Sequence, residues 1–173
     1  MKKINLLMIA LFLTTCALGQ QTPSSTVVTA TMPQGATKPT KDELAKYIHD
    51  NYKRSQVPLD KTNTYKLNGL LISFWDLSIN PPFKKSLEAS QSEILGYLKQ
   101  NSENTINYSK IITVNDIRFL VYVYQKGNEE YLRFQSEYNK DNKNICGLIQ
   151  CKKPDEVEAE ETLQTFLSTI HFK

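Results

Sequence analysis

The segment that most constrains the fold is residues 117–125, which is apolar on both faces if it forms a β-strand. Side chains of a strand point alternately to its two faces, so that one face carries Ile117, Phe119, Val121 and Val123 and the other carries Leu120, Tyr122 and Tyr124. A strand that is apolar on both faces needs cover on both sides of its sheet. Residues 117–125 therefore predict an interior strand of a sheet that lies between two layers of helices.

Further segments predict the rest of the sheet. Residues 106–113, 130–138 and 145–152 are strand-like runs that flank this strand, and short polar turns connect the four runs. Connections this short join antiparallel neighbours, so the runs predict a meander. Another strand is predicted at residues 70–76, with an Asn-Gly turn at residues 68–69 and a shorter strand before that turn.

Three amphipathic helices complete the predicted fold. The first begins at Thr40, because Thr40 and Glu43 match a capping box, and it runs to about residue 53. The second covers residues 87–100, and the third opens at Asp155 with an apolar stripe of Ala159, Leu163, Phe166, Leu167 and Ile170. These elements predict an α+β fold: an antiparallel β-sheet meander covered by helices on both faces, in α-β-α layers.

Residues 1–19 have the three parts of a secretory signal peptide: two lysines, an apolar core at residues 4–13, and small residues at Ala17 and Gly19. The core is too short to span a bilayer, which takes about 20 apolar residues. We therefore predict cleavage after Gly19 and export to the periplasm or the extracellular space, with no transmembrane segment in the mature chain. Cleavage leaves 19 basic against 18 acidic residues, and a net charge of +1 gives no electrostatic footprint for nucleic acid.

Cys16 provides an alternative to this cleavage. Residues 13–16 (Leu-Thr-Thr-Cys) resemble a lipoprotein signal, in which the cysteine is acylated and anchors the protein to a membrane. Bacterial signals of that kind have Gly, Ala or Ser directly before the cysteine, and Thr15 departs from this pattern. A lipid anchor at Cys16 therefore stays open as the second reading, in which the exported protein is membrane-tethered.

Residues 20–39 differ in composition from the rest of the chain. They are rich in Thr, Ser, Pro, Gln, Gly and Ala, show no apolar periodicity, and carry one charged residue, Lys38. Such a segment buries too little surface to offset its ordering entropy. We therefore predict a signal peptide at 1–19, a flexible linker at 20–39 and a single α+β domain at 40–173.

Cys146 and Cys151 are the cysteines that survive cleavage after Gly19. Five residues along an extended strand span about 16 Å and place the two side chains on opposite faces, whereas a disulfide needs Cα atoms within about 7 Å. We predict two unbonded strand residues, with a disulfide through a bulge at Gly147 as the alternative.

The sequence contains no recognisable catalytic motif. Its only histidines, His49 and His171, lie in no catalytic or metal-binding pattern, and phosphate-binding glycine loops are absent. We predict no catalytic, metal or cofactor residues and favour a non-catalytic role. The alternative is a cryptic cysteine-dependent enzyme in which Cys146 pairs with His171 or His49.

Aromatic residues near two consecutive prolines provide a candidate binding surface. Rigid loops that carry aromatic side chains often contact partners, so we predict an interaction loop formed by Trp75, Pro81, Pro82 and Phe83.

The order of the elements and the end of the chain resemble the PsbP-like superfamily. The resemblance covers residues 65–172, from the strands to a terminal helix that ends in residues 166–172 (Phe-Leu-Ser-Thr-Ile-His-Phe). It implies relatives such as photosystem extrinsic subunits, a nuclear transport factor and small bacterial envelope proteins, which are largely non-enzymatic binders. The match carries over no functional residue. The resulting hypothesis is an exported bacterial protein that binds a protein or small-molecule partner as an accessory module of the cell envelope.

Overall fold

The computed structural model describes residues 21–57, 63–79 and 83–173. In these residues the chain forms, in order, β1 (Val28–Thr29), α1 (Lys41–Asn51), β2 (Asn63–Leu67), β3 (Leu70–Ser78), α2 (Leu87–Gln100), β4 (Asn104–Val114), β5 (Ile117–Lys126), β6 (Glu129–Ser136), β7 (Lys143–Lys152), α3 (Glu156–Ser168) and β8 (His171–Phe172). The predicted signal peptide at 1–19, with Cys16, lies outside the described residues.

Six strands form an antiparallel sheet in the order β2-β3-β7-β6-β5-β4. The four strands from β4 to β7 are consecutive neighbours, as the meander prediction requires, and the β2–β3 hairpin pairs with β7. The turn between β4 and β5 has Asn115 and Asp116 at φ values of 50° and 60°. Two residues with positive φ match the twist of a tight hairpin, which explains the short connection.

Both faces of the sheet are covered. Phe119, Val121 and Val123 of β5 join α3 and the N-terminal segment in one buried cluster. On the opposite face, Tyr124 of the same strand belongs to a second cluster with Leu44 of α1 and Leu98 of α2. The α-β-α layers and the doubly buried interior strand predicted from the sequence are therefore confirmed.

α1 begins and ends at groups that the sequence supplies locally. The Thr40 hydroxyl accepts a hydrogen bond from the Glu43 N–H, and the Glu43 carboxylate accepts one from the Thr40 N–H at 2.8 Å. At the other end, the Tyr52 N–H donates to the Ile48 carbonyl, and the Tyr52 hydroxyl donates to the Gly69 carbonyl at 2.7 Å. Tyr52 thereby fixes the end of α1 against the sheet.

α3 carries four residues of the apolar stripe predicted for it, and the fifth, Ile170, follows the end of the helix; all five side chains are buried. The helix opens at Asp155 as predicted, but the Asp155 side chain forms no capping hydrogen bond within the described chain. The Asp155 carboxylate lies beside the β2–β3 turn instead: a Cβ atom on Gly69 would be 2.6 Å from Asp155 Oδ2. None of the helices in the described ranges is both long and apolar enough to cross a membrane.

The prediction of a flexible linker at residues 20–39 is wrong for the part that the structure describes. β1 pairs antiparallel with β8, with Val28 opposite Phe172, and Thr37 forms a bridge with Lys66 of β2. Five apolar side chains of the segment are buried in the core: Val27, Val28, Ala30, Met32 and Ala36. Their cover comes from residues far along the chain, which local composition does not reveal.

Candidate functional site

A cleft of about 580 Å³ opens where the end of α1 meets the turn between β5 and β6. Its walls come from the residues after α1, the loop before β4, this turn and the end of β7. Its lining residues are Asn51, Lys53, Arg54, Glu103, Lys126, Gly127, Asn128, Glu129, Tyr131 and Lys152. Four of these side chains are cations and two are carboxylates, so the cleft has a positive balance.

The floor of the cleft is built on Glu129, which is only 8% exposed. Its Oε1 accepts hydrogen bonds from the Lys53 N–H at 2.7 Å and the Arg54 N–H at 3.4 Å. Its Oε2 accepts from the Tyr131 hydroxyl at 2.7 Å and from Gln150 Nε2 at 3.1 Å. A buried carboxylate with four donors is well satisfied, and it holds the chain after α1 in place.

The rim of the cleft carries Glu103 between two cations. Its Oε2 lies 2.9 Å from Lys126 Nζ and 2.7 Å from Arg54 Nη1. The hydrogen bonds from Lys126 and then from Arg54 lower the pKa of Glu103 to about 2. The Lys126 side chain is 19% exposed, so that most of this cation is enclosed by the protein.

Other donors in the cleft have no such partner. Among the described residues, the ammonium groups of Lys53 and Lys152 form no ion pair. In the same part of the chain, the N–H groups of Gly127 and Asn128 donate to no acceptor. Gly127 has a φ of 63°, and a Cβ atom there would meet nothing within 4 Å. The turn therefore offers backbone donors beside the cations.

The described residues of the predicted interaction loop, Trp75 and Phe83, are not among the residues that line the cleft. Trp75 is half-buried on β3 opposite Cys146, and Phe83 is 66% exposed. Pro81 and Pro82 lie outside the described residues. The cleft is next to Lys152, whereas the loop follows Ser78, which pairs with Lys143 at the other end of β7. The loop stays a prediction, and its aromatic residues do not line the cleft.

The cysteines and histidines are not brought together. Cys146 and Cys151 are free thiols on opposite faces of β7, and burial raises the pKa of both to about 12. Neither sulfur is hydrogen bonded to an imidazole in the described ranges, and His49 Nδ1 lies 3.1 Å from its neighbour Asp50 Oδ1 instead. A thiol with a raised pKa and no base is a poor nucleophile.

Comparison with known proteins identifies the fold. No protein-family model and no curated protein matches the sequence. Among solved structures, the chain is similar to the solution structure of cyanobacterial PsbP (CyanoP) from Synechocystis sp. PCC 6803, with a TM-score of 0.57. The match covers 88% of this chain and 92% of that chain at 12% sequence identity. The fold is therefore PsbP-like, which confirms the resemblance seen in the sequence.

Proposed function

We propose that this protein is an exported, non-catalytic binding or accessory module of the cell envelope, and that its ligand or partner binds in the cleft. The observation that supports a binding site is the convergence of four cations on a cavity with a fixed, hydrogen-bonded floor. Pockets of about 300–1,000 Å³ are the usual size for small ligands. The cleft is therefore suited to an anionic ligand or an acidic group of a partner.

The way in which the carboxylates of the cleft are paired supports a non-catalytic role. Glu129 is saturated by donors that hold the backbone, and Glu103 is paired with Arg54 and Lys126. General acid–base catalysis needs a group that can exchange protons near neutral pH, and the pKa of Glu103, at about 2, is far below that range. The buried thiols give the cysteine-enzyme alternative no support.

Export is tested by the mass of the mature N-terminus. We expect the protein recovered from the periplasm or medium of an expressing bacterium to begin at Gln20, because Ala17 and Gly19 fit the cleavage pattern. Intact-mass spectrometry distinguishes this chain from one that begins at an acylated Cys16, which would replace secretion by membrane tethering. An uncleaved chain that stays in the cytoplasm would contradict export itself.

Binding in the cleft is tested by titration of the isotope-labelled protein with anions of different classes. We expect inorganic phosphate, citrate or a glutamate-rich peptide to shift the N–H signals of Lys53, Gly127 and Asn128 in NMR spectra. Arg54→Gln should weaken this binding by about 5- to 10-fold, because it removes a cation from the cleft.

Arg118→Gln is the matched control for that experiment. Arg118 also forms an exposed ion pair with a glutamate, Glu88, but it lies at the opposite end of β5 from Lys126. Its loss should leave the affinity unchanged. An equal loss of affinity in both variants, or no saturable shift with any of the three anions, would show that the cleft is not the binding site.

A further inference from the structure

Glu103 lies between two cations of the cleft and contacts both of them with a single oxygen. One oxygen, Oε2, contacts both Arg54 and Lys126, at 2.7 Å and 2.9 Å. The other oxygen, Oε1, has no hydrogen-bond partner among the described residues. The carboxylate therefore engages two of the four cations that line the cleft and leaves Lys53 and Lys152 without an anionic partner there.

The remaining donors match a larger anion than a carboxylate. Two ammonium groups, on Lys53 and Lys152, and two backbone N–H groups, on Gly127 and Asn128, are unused within the described chain. A phosphoryl group has three strong acceptor oxygens and a charge of about −1.5 to −2 at neutral pH. It can contact more of these donors at once than the two oxygens of a carboxylate can.

The charge of the cleft agrees with such a ligand. Four cations and two carboxylates line it, a net charge of +2. The C-terminal end of α1 at Asn51 adds a partial negative charge of about one half, so that a positive charge of about 1.5 is left to be neutralised. Glu103 is more than half exposed, and exposed ion pairs of this kind are weak, so its carboxylate can be displaced.

We infer that the cleft binds a phosphoryl group. In the absence of this ligand, the Glu103 carboxylate occupies the phosphoryl site between Arg54 and Lys126, and the ligand displaces it on binding. This inference rests on the proposed function, because it names the ligand of the same cleft. The phosphoryl group can belong to a soluble phosphate compound or to the headgroup of a lipid. Glu103 then acts as an internal competitor, and its charge sets the affinity of the cleft for phosphate.

The test is calorimetric titration of the chain that begins at Gln20 with inorganic phosphate. Glu103→Gln should tighten phosphate binding by at least about tenfold, because the competing charge is gone. Glu88→Gln is the matched control: it removes an exposed glutamate that pairs with Arg118 away from the cleft and should change nothing. Adding Lys126→Gln to Glu103→Gln should reverse most of the gain.

Two further arms identify the source of the phosphoryl group. Saturation by inorganic phosphate assigns a soluble ligand, whereas binding only to vesicles that contain phosphatidic acid, strengthened by Glu103→Gln, assigns a lipid headgroup. The inference is overturned if Glu103→Gln tightens neither, or if it tightens binding of acetate or citrate as much as that of phosphate. That last result would leave the cleft as an anion site and contradict only the phosphoryl assignment.

Discussion

Gly147→Ala is expected to destabilise the protein by about 3 kcal/mol, the upper end of the usual cost of overfilling a core. Gly147 lies in β7 between Phe134 of β6 and Phe74 of β3. A Cβ atom at this position would be 2.0 Å from Cζ of Phe134. The Phe134 ring cannot easily move, because it is 2% exposed and packs against Phe166 of α3 with ring centroids 5.9 Å apart.

Urea unfolding of the variant and of Gly96→Ala measures this effect against a matched control. Gly96 lies in α2, and a Cβ atom there meets nothing within 4 Å. The control should therefore gain about 0.5–1 kcal/mol from the better helix propensity of alanine. In the double variant Gly147→Ala, Phe134→Leu, the two costs should not add, because the smaller side chain makes room for the new methyl group. Equal stability of the two glycine variants would contradict the packing argument.

The layered fold could be predicted because its signals are local. The two apolar faces of β5 appear in nine consecutive residues, and the apolar spacing of α2 placed that helix at residues 87–100, as observed. The capping box at Thr40 likewise needs only two residues three positions apart, Thr40 and Glu43. Each signal reports directly on burial or on backbone hydrogen bonds, so no long-range information is needed to read it.

The cleft could not be predicted, because its cations are far apart in the sequence. Lys53 and Lys152 are 99 positions apart, and both lie beside Glu129: Lys152 through strand register, and Lys53 through the hydrogen bond of its N–H to the Glu129 carboxylate. Glu129 lies opposite Lys126 of β5 on one side and opposite Lys152 of β7 on the other. The sequence indicates the turn at residues 126–129, but it does not indicate which strands flank this turn or that the chain after α1 folds over it.

The prediction of a flexible linker at residues 20–39 is wrong for a related reason. Val28, Ala30 and Met32 alternate with Thr29 and Thr31, but this strand-like pattern is only five residues long and lies in a segment rich in Ser, Thr, Gln and Pro. The composition of the segment predicts a linker, but the burial of its apolar side chains depends on whether the core has space for them. The core has this space beside β8, where the Lys173 N–H donates to the Val27 carbonyl at 3.0 Å. The packed domain therefore includes residues before Thr40.

Removal of residues 20–39 should destabilise the protein more than the Gly147→Ala substitution does. Burial of each large apolar side chain contributes roughly 1.5–3 kcal/mol, so Val27, Val28 and Met32 together contribute roughly 5 to 9 kcal/mol. The whole free energy of unfolding of a typical domain is about 5–15 kcal/mol. A chain that begins at Thr40 is therefore expected to be largely unfolded, whereas one that begins at Gln21 should unfold cooperatively in a thermal melt followed by circular dichroism.

Two adjacent positions of β1 test the same point without a truncation. Val28 is 1% exposed, and Val28→Ala removes two buried methyl groups at a cost of about 2 kcal/mol. Thr29 is exposed on the same strand, and Thr29→Ala should change the free energy of unfolding by less than about 0.5 kcal/mol. A flexible linker would make both substitutions neutral, since neither side chain would then lose contacts. A clear difference between these neighbours therefore distinguishes a packed strand from a tether.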